Sequence, residues 1–386
     1  MENELAQIRR PAIRRLMLAD FRSYVELDLT VETQLVALTG DNGAGKTNVL
    51  EALSLLTAGR GLRRADLSDM AREDGPGSFA VSAMLWDDGV ETQLGVGLDL
   101  PSADAPAARR VRIDRAPVSS ARAFAEHLRL VWLTPAMDGL FVGTPGDRRR
   151  FLDRLVLAVD ADHGARVNAL EKSLRNRNRL LEDGSRDHVW LDAAERELAE
   201  LAVAVAAARQ ETVSRLRALI QRERNEDSPF PWAEVTLLGE LETIVGDLPA
   251  LEVEDRYRQI LRDNRGRDAA AGRTLIGPQS ADLYVKHGPK GADASRSSTG
   301  EQKALLVGLV LAHARLVAAM SGIAPMVLLD EVAAHFDPLR RAALFSDLRH
   351  IGGQVWMTGA DPAAFAELDD AALLHVTPGR IDVRNP

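Results

Sequence analysis

Gly40-Asp41-Asn42-Gly43-Ala44-Gly45-Lys46-Thr47 follows an apolar run, Leu35 to Leu38, and precedes a helical pattern that begins near Asn48. The spacing G-x-x-x-x-G-K-T, with a strand before it and a helix after it, describes a phosphate cradle. Its glycines let successive backbone N–H groups converge on one point, and the helix N-terminus adds the positive end of its dipole. Lys46 supplies a full charge and the Thr47 hydroxyl is suited to ligate Mg²⁺. The motif predicts an α/β chain that holds a nucleoside triphosphate through its β and γ phosphates.

Such a loop needs an acidic partner, and Met326-Val327-Leu328-Leu329 followed by Asp330-Glu331 supplies one. The apolar run predicts a buried strand that delivers Asp330 to the Mg²⁺ shell. Glu331, one residue later, is placed to polarise a water, so Lys46 and Glu331 are the candidate catalytic residues and Thr47 and Asp330 the candidate metal ligands. Two acids at a strand end also occur as a simple strand edge; the phosphate loop elsewhere in the chain favours the catalytic reading.

The 386 residues suffice for two or three domains, and none is cysteine. Disulfides, thiolate zinc sites and cysteine nucleophiles are thereby excluded, and a cytoplasmic location is expected. The net charge of −9 means that any polyanion must meet a local basic patch, since exposed charges beyond about 10 Å are largely screened. Residues 1–15 lack the uninterrupted apolar segment of a secretory signal. The most apolar stretch, Ala304 to Ala312, is broken by His313 and Arg315 and reads as a buried helix, so no membrane partner is expected.

Alternating apolar residues between Ile13 and Leu29 predict two strands ahead of the loop strand. Phe79 to Trp86 and Gln93 to Leu98, joined at Asp87-Asp88-Gly89, predict a hairpin that Val111 and Ile113 extend into an antiparallel meander. From Arg148 to Glu223 Gly and Pro almost vanish. There Leu191, Ala194, Leu198, Leu201, Val205 and Ala208 form a seam with steps of three and four, read as one helix of a bundle rather than a long rod. Trp232 to Leu238 suggests a short strand, Tyr257, Ile260 and Leu261 a further helix, and a parallel sheet is expected to resume from about Leu275. The expected architecture is a head of residues 1–134 and 272–386 interrupted by a mainly helical arm of residues 135–271.

Ser298-Thr299-Gly300-Glu301 precedes a long apolar helix and offers a second anion site. In ATPases of the ABC type the S-x-G-[EQ] signature faces the γ-phosphate held by another subunit. A capping box closed by Ser298 and Glu301 explains the same residues locally, and both roles are compatible. The order of phosphate loop, helical insertion, signature and Asp-Glu strand, with Asp337 close behind, resembles the ABC-type ATPases of chromosome maintenance. Within that group the chain is similar over nearly its whole length to the RecF family. The matching segments are Leu18 to Tyr24 with Arg22, Gly40 to Thr47 with Asn48 to Ala52, Gly59-Arg60, Pro145 to Asp153, Gly277-Pro278 with Asp282, Ser297 to Lys303, and Leu328 to Asp337. The chain departs from the family pattern at Gln279-Ser280-Ala281, at Pro135 to Asp138 and at His335-Phe336-Asp337. Where many ABC ATPases place a histidine, Thr358 stands, with Asp361 nearby.

The resemblance implies an ABC-type head with an antiparallel meander and an inserted helical arm. It also implies nucleotide contacts from Arg22 and Asn48 besides the loop, and slow Mg²⁺-dependent ATP hydrolysis stimulated by DNA. An ATP-dependent homodimer on duplex and gapped or single-stranded DNA is implied too, with RecR and RecO partners that help load a recombinase. Basic clusters at Arg60, Arg63 and Arg64, at Arg109 to Arg115, at Arg148 to Arg150 and at Arg175 to Arg179 are candidate DNA contacts; each taken alone also fits a salt-bridged surface. Arg60, Arg63, Arg64, Arg148 and Arg149 are the selected candidates. A nucleotide-gated adaptor without hydrolysis, or another chromosome-maintenance ATPase, is the rival reading.

Overall fold

Leu130–Leu133, Met326–Leu329, Val355–Gly359 and Leu35–Thr39 lie side by side in that order as parallel strands with every residue buried. Ala371–Thr377 adds a fifth parallel strand next to Leu35–Thr39, and Arg380–Val383 closes that edge antiparallel. Unbroken apolar runs are what a parallel sheet covered on both faces requires. The computed structural model describes residues 8–100, 108–183, 188–332 and 336–383.

The chain divides into two compact units. The first, Met1–Asp138 with Asp227–Phe230 and Leu306–Pro386, contains this parallel sheet and a second, antiparallel one. The antiparallel sheet orders Tyr24–Thr30, Ala12–Phe21, Phe79–Asp87, Val90–Leu98, Arg109–Ile113 and Ala116–Pro117. Burial alternates along its strands, and its inner residues Leu16, Leu18, Val81, Ala83 and Leu94 share one core with Val36, Leu38, Leu328 and Trp356 of the parallel sheet. The hairpin at Asp88-Gly89 turns with both residues at positive φ, as a two-residue loop between twisted strands demands.

One buried side chain ties the two sheets together. Gln354 Oε1 accepts the Ile13 N–H at 2.9 Å and the Trp356 indole N–H at 3.1 Å, while its Nε2 donates to Ile13 O at 3.0 Å and Thr33 O at 3.2 Å.

The second unit, Gly139–Glu226 with Pro231–Leu305, is mainly helical. Helix His188–Arg222 is buried along two faces: Leu198 and Val205 of the seam enter a core with Leu170, Leu174, Val253, Tyr257 and Leu261, and Ala199, Ala202 and Ala206 lie beside them. Seam residues Leu201 and Ala208 are only half-buried. A helix flanked on two sides belongs to a bundle. Arg177 is fully buried here and donates to Glu195, Asp268, Thr274 and the Leu261 carbonyl, which removes it from the basic surface expected at residues 175–179.

The parallel sheet does not resume at Leu275. Asp282–His287 instead pairs antiparallel with Ala233–Leu238 and Ala292–Asp293 in a three-stranded sheet of the second unit, and the parallel strands return only at Met326. The alternating burial of both longer strands gives the reason: only one face is covered, and apolar residues are needed at every second position alone. The second unit accordingly runs to Leu305, past the expected limit at residue 271, and takes the Ser298 signature with it. The apolar helix Thr299–Ser321 is the one helix among the described residues long and apolar enough to cross a bilayer, and most of it is buried within the protein.

Candidate functional site

Leu35–Thr39 leads into the loop and Lys46–Ser54 leaves it as a helix. Gly40 and Gly45 both adopt positive φ, and a Cβ at Gly40 would lie 2.2 Å from the Val376 carbonyl oxygen. At Gly45 it would lie 2.8 Å from Ser23 Oγ and 3.1 Å from Tyr24 Oη. The loop is thus pressed against the segment Phe21 to Tyr24. Tyr24, fully buried, donates to Gly45 O at 3.2 Å, and burial pushes its hydroxyl pKa up, so that it remains a donor. Asn48 Nδ2 donates to Ser23 Oγ at 3.0 Å, a second tie between the early motif and the phosphate loop. Asp41, Asn42 and Gly43 lie on the exposed side of the loop, while Ala44 is buried beneath it.

The acids arrive two strands away, with Val355–Gly359 between them and the loop strand. Thr47 Oγ1 donates to Asp330 Oδ1 at 2.8 Å, and Thr358 Oγ1 donates to the same oxygen at 2.7 Å. The Glu331 N–H in turn donates to Thr358 Oγ1 at 2.9 Å. Lys46 Nζ donates to the carbonyls of Gly40 and Asp41 at 2.7 and 2.9 Å and lies 3.6 Å from Glu331 Oε1. Glu331 itself sits at φ 54, a left-handed conformation that costs a side-chain-bearing residue on the order of 1–3 kcal/mol and clusters at functional sites. Lys46, Thr47, Asp330, Glu331 and Thr358 therefore form one bonded set.

This set suits a triphosphate and Mg²⁺. Mg²⁺ takes few protein oxygens and keeps phosphate and water as its remaining ligands, and Thr47 with Asp330 offers that sparse arrangement. The loop brings backbone N–H groups and the Lys46 ammonium to the same end of the sheet, outside the carboxyl ends of the strands, where open α/β sheets bind ligands.

Arg22, an expected nucleotide contact, is held by an acid of the helix that follows the loop. Its guanidinium is bidentate on Glu51, with both bonds at 2.8 Å, and donates to Asp69 O at 2.6 Å. Arg63 reaches the same carboxylate and Asn48 Oδ1, both at 3.1 Å. Glu51 has no exposed surface. Within the matching segment Asn48 to Ala52 it carries no assigned role, although an acid among Leu50, Ala52 and Leu53 of one helix is a buried charge that must find partners.

In the second unit Ser298 and Glu301 close a capping box at the start of helix Thr299–Ser321: the Ser298 N–H donates to Glu301 Oε2 at 3.0 Å and the Glu301 N–H to Ser298 Oγ at 3.4 Å. The Lys290 ammonium, 2.6 Å from Glu301 Oε1, and these Ser298 bonds pull the Glu301 carboxyl down to about 2. Ser298, Thr299 and Gly300 are exposed. Arg148 is bidentate on Asp282 at 2.7 and 2.8 Å, and Arg149 donates to Ala281 O at 2.7 Å. These two of the five selected DNA contacts thus hold the segment after Gly277-Pro278. In the first unit Arg109 is likewise engaged, by the carbonyls of Leu55 and Gly59, whereas Arg60, Arg63 and Arg64 reach solvent. Asp337 caps helix Pro338–Ile351 through the Arg340 N–H. His335 lies outside the described residues.

A phosphate loop and an Asp-Glu pair on flanking strands of a parallel sheet, with an antiparallel sheet packed on the same core, define an ABC-type ATPase head. The family model described as the RecF/RecN/SMC N terminal domain matches residues 12–377. A DNA replication and repair protein RecF of Mesorhizobium japonicum is 54% identical over 356 residues, covering 92% of this chain and 93% of the relative. Its counterpart in Rhizobium meliloti is 50% identical over 370 residues, covering 96% and 98%. The chain belongs to the RecF family. In fold it is also similar to a solved recombination mediator protein, RecF-ATPrS of the RecFOR pathway, with a TM-score of 0.84 at 20% identity over 97% of this chain and 99% of that one.

Proposed function

We propose that the protein is an ATP-driven clamp on DNA in replication and repair. Two copies each bind ATP in the cradle of Lys46 and Thr47, and the signature Ser298, Thr299, Gly300 and Glu301 of one copy covers the triphosphate held by the other. The observation that carries this reading is the bonded set of Thr47, Asp330 and Glu331 beside the loop. In support of the second half, the N–H groups of Thr299 and Gly300 open an exposed helix end and have no acceptor among the described residues.

Lys46 exchanges the Gly40 and Asp41 carbonyls for phosphate oxygens. Thr47 would offer a hydroxyl lone pair to the cation while still donating its hydrogen bond to Asp330. Mg²⁺, when bound, neutralises charge on the phosphates. Glu331 orients water and takes up its proton, a role worth about 10²–10⁴-fold in rate. Hydrolysis releases the partner copy and with it duplex, gapped or single-stranded DNA, met by the exposed Arg60, Arg63 and Arg64. RecO- and RecR-type partners in the cytoplasm, and help in loading a recombinase, complete this reading, and the RecFOR pathway of the solved relative supports the choice of partners.

Glu331→Gln tests the clamp. Hydrolysis is expected to fall by about 10²–10⁴-fold, while ATP still binds and the mass of the pair accumulates in light scattering. Persistent monomers with ATP bound would count against the clamp, and undiminished hydrolysis would remove Glu331 from catalysis. A wild-type protein that binds gapped DNA with ATP yet never turns ATP over is instead a nucleotide-gated adaptor.

A further inference from the structure

We propose that Thr358 is a positioning residue for hydrolysis, a single hydroxyl that sets the orientation of both acids at once. The inference rests on the roles proposed above for Asp330 and Glu331 and adds a residue whose side-chain bonds go to those two acids. Thr358 is fully buried in Val355–Gly359, the strand between the loop strand and the acid strand. Its register is the key. Met357 pairs with Leu329, so Thr358 stands one step further along, level with Asp330, and on its other side it pairs with Leu38 just ahead of the loop.

The hydroxyl proton goes to Asp330 Oδ1 at 2.7 Å, and a hydroxyl lone pair receives the Glu331 N–H at 2.9 Å. Thr47 donates to the same Oδ1 at 2.8 Å. Two donors on one oxygen hold the carboxylate against rotation, and Oδ2, without a partner among the described residues, is the atom left for the cation. The second bond acts on the backbone. Glu331 is in the left-handed region, and the N–H bond to Thr358 is the side-chain contact that holds its peptide there. Without an acceptor that N–H is stranded in a half-buried site, and the residue is free to relax toward the extended conformations that L-residues prefer. The Glu331 carboxylate would then leave its place 3.6 Å from Lys46.

No neighbour on the strand can substitute. Gly359 follows, and a Cβ there would meet the fully buried Phe365 ring at 2.8 Å. Thr358 is also the only residue of this strand that bonds to either acid among the described residues.

Thr358→Val keeps the branch at Cβ and nearly the volume and removes only the hydroxyl; Thr358→Ser keeps the hydroxyl and removes only the methyl. Full-length variants are compared by steady-state hydrolysis and by equilibrium binding of a fluorescent ATP analogue with and without Mg²⁺. For Thr358→Val we expect kcat to fall about 10²-fold, the scale of a catalytic group displaced by an ångström, with KM little changed. We also expect the gain in nucleotide affinity that Mg²⁺ confers to fall about tenfold, as when the support of a metal ligand is lost. Thr358→Ser should restore both readouts. If the valine variant misfolds, Thr358→Ala set against Thr358→Ser makes the same comparison. Wild-type kcat and Mg²⁺ gain in the valine variant would overturn the proposal, and so would a serine variant as impaired as valine, since packing of the methyl would then be the cause. Glu331→Gln run alongside separates the two levels: unimpaired hydrolysis there defeats the catalytic reading, whereas a dead Glu331→Gln with an active Thr358→Val defeats only the role of Thr358.

Discussion

Glu51 lies on the phosphate-loop helix with no surface exposed and two guanidinium groups on its carboxylate, Arg22 from the strand end and Arg63 from the loop that follows the helix. A carboxylate so placed is stable only as the centre of its pairs, and removing it leaves two cations facing each other. Breaking a fully buried ion pair costs about 3–5 kcal/mol. Arg63 reaches solvent and rehydrates, so Glu51→Ala should cost about half of that, read as a lower denaturation midpoint in urea, with Glu51→Gln in between. An unchanged midpoint would mean that the triad contributes nothing. At this scale the chain was legible where chemistry restricts the residue type: Thr47 meets Asp330 and Lys46 faces Glu331, as the spacing of their motifs suggests. Glu51 was not, because its partners come from positions 29 residues before it and 12 after it, which no local motif links.

Strands were legible to the extent that burial imposes a period. Two covered faces gave the runs Leu35 to Leu38 and Met326 to Leu329, and one covered face gave the alternation of Phe79 to Trp86. The same alternation at Asp282–His287 would have excluded a parallel strand there. What period cannot convey is which sheets share a core. Gln354 opens an apolar run and looks like a polar strand end, yet its amide meets both backbone groups of Ile13, 341 residues away in the chain. Gln354→Leu would fill the space and leave the Ile13 N–H and the Trp356 indole N–H without acceptors. Each buried orphan costs about 1–3 kcal/mol, so a loss of about 2–6 kcal/mol is expected. Native-state hydrogen exchange at Ile13 should speed up in step, and protection equal to wild type would show that the two sheets do not depend on this amide.

For the whole molecule the question is how a chain of net charge −9 meets a polyanion. Four basic clusters were visible in the sequence, but packing separates them. Arg109 holds carbonyls, Arg148 and Arg149 hold the segment at Ala281 and Asp282, and Arg177 is interior. A guanidinium drawn off the surface onto its own partners is poorly placed to reach a phosphate and release its counterions, so these residues should affect stability and leave the salt dependence of binding alone. Of the selected candidates Arg60, Arg63 and Arg64 remain, three cations at the surface of the unit that carries the phosphate loop. In an ATP-bound pair they amount to six. Each phosphate neutralised on B-DNA contributes about −0.9 to the slope of log affinity against log salt. Replacing all three arginines by alanine should therefore flatten that slope by roughly five when every one of the six meets a phosphate. Arg148→Ala should lower the denaturation midpoint and leave the slope as it was. A triple variant with the wild-type slope would place the DNA on another face, and a flattened slope only in the presence of ATP would tie this face to the joined pair.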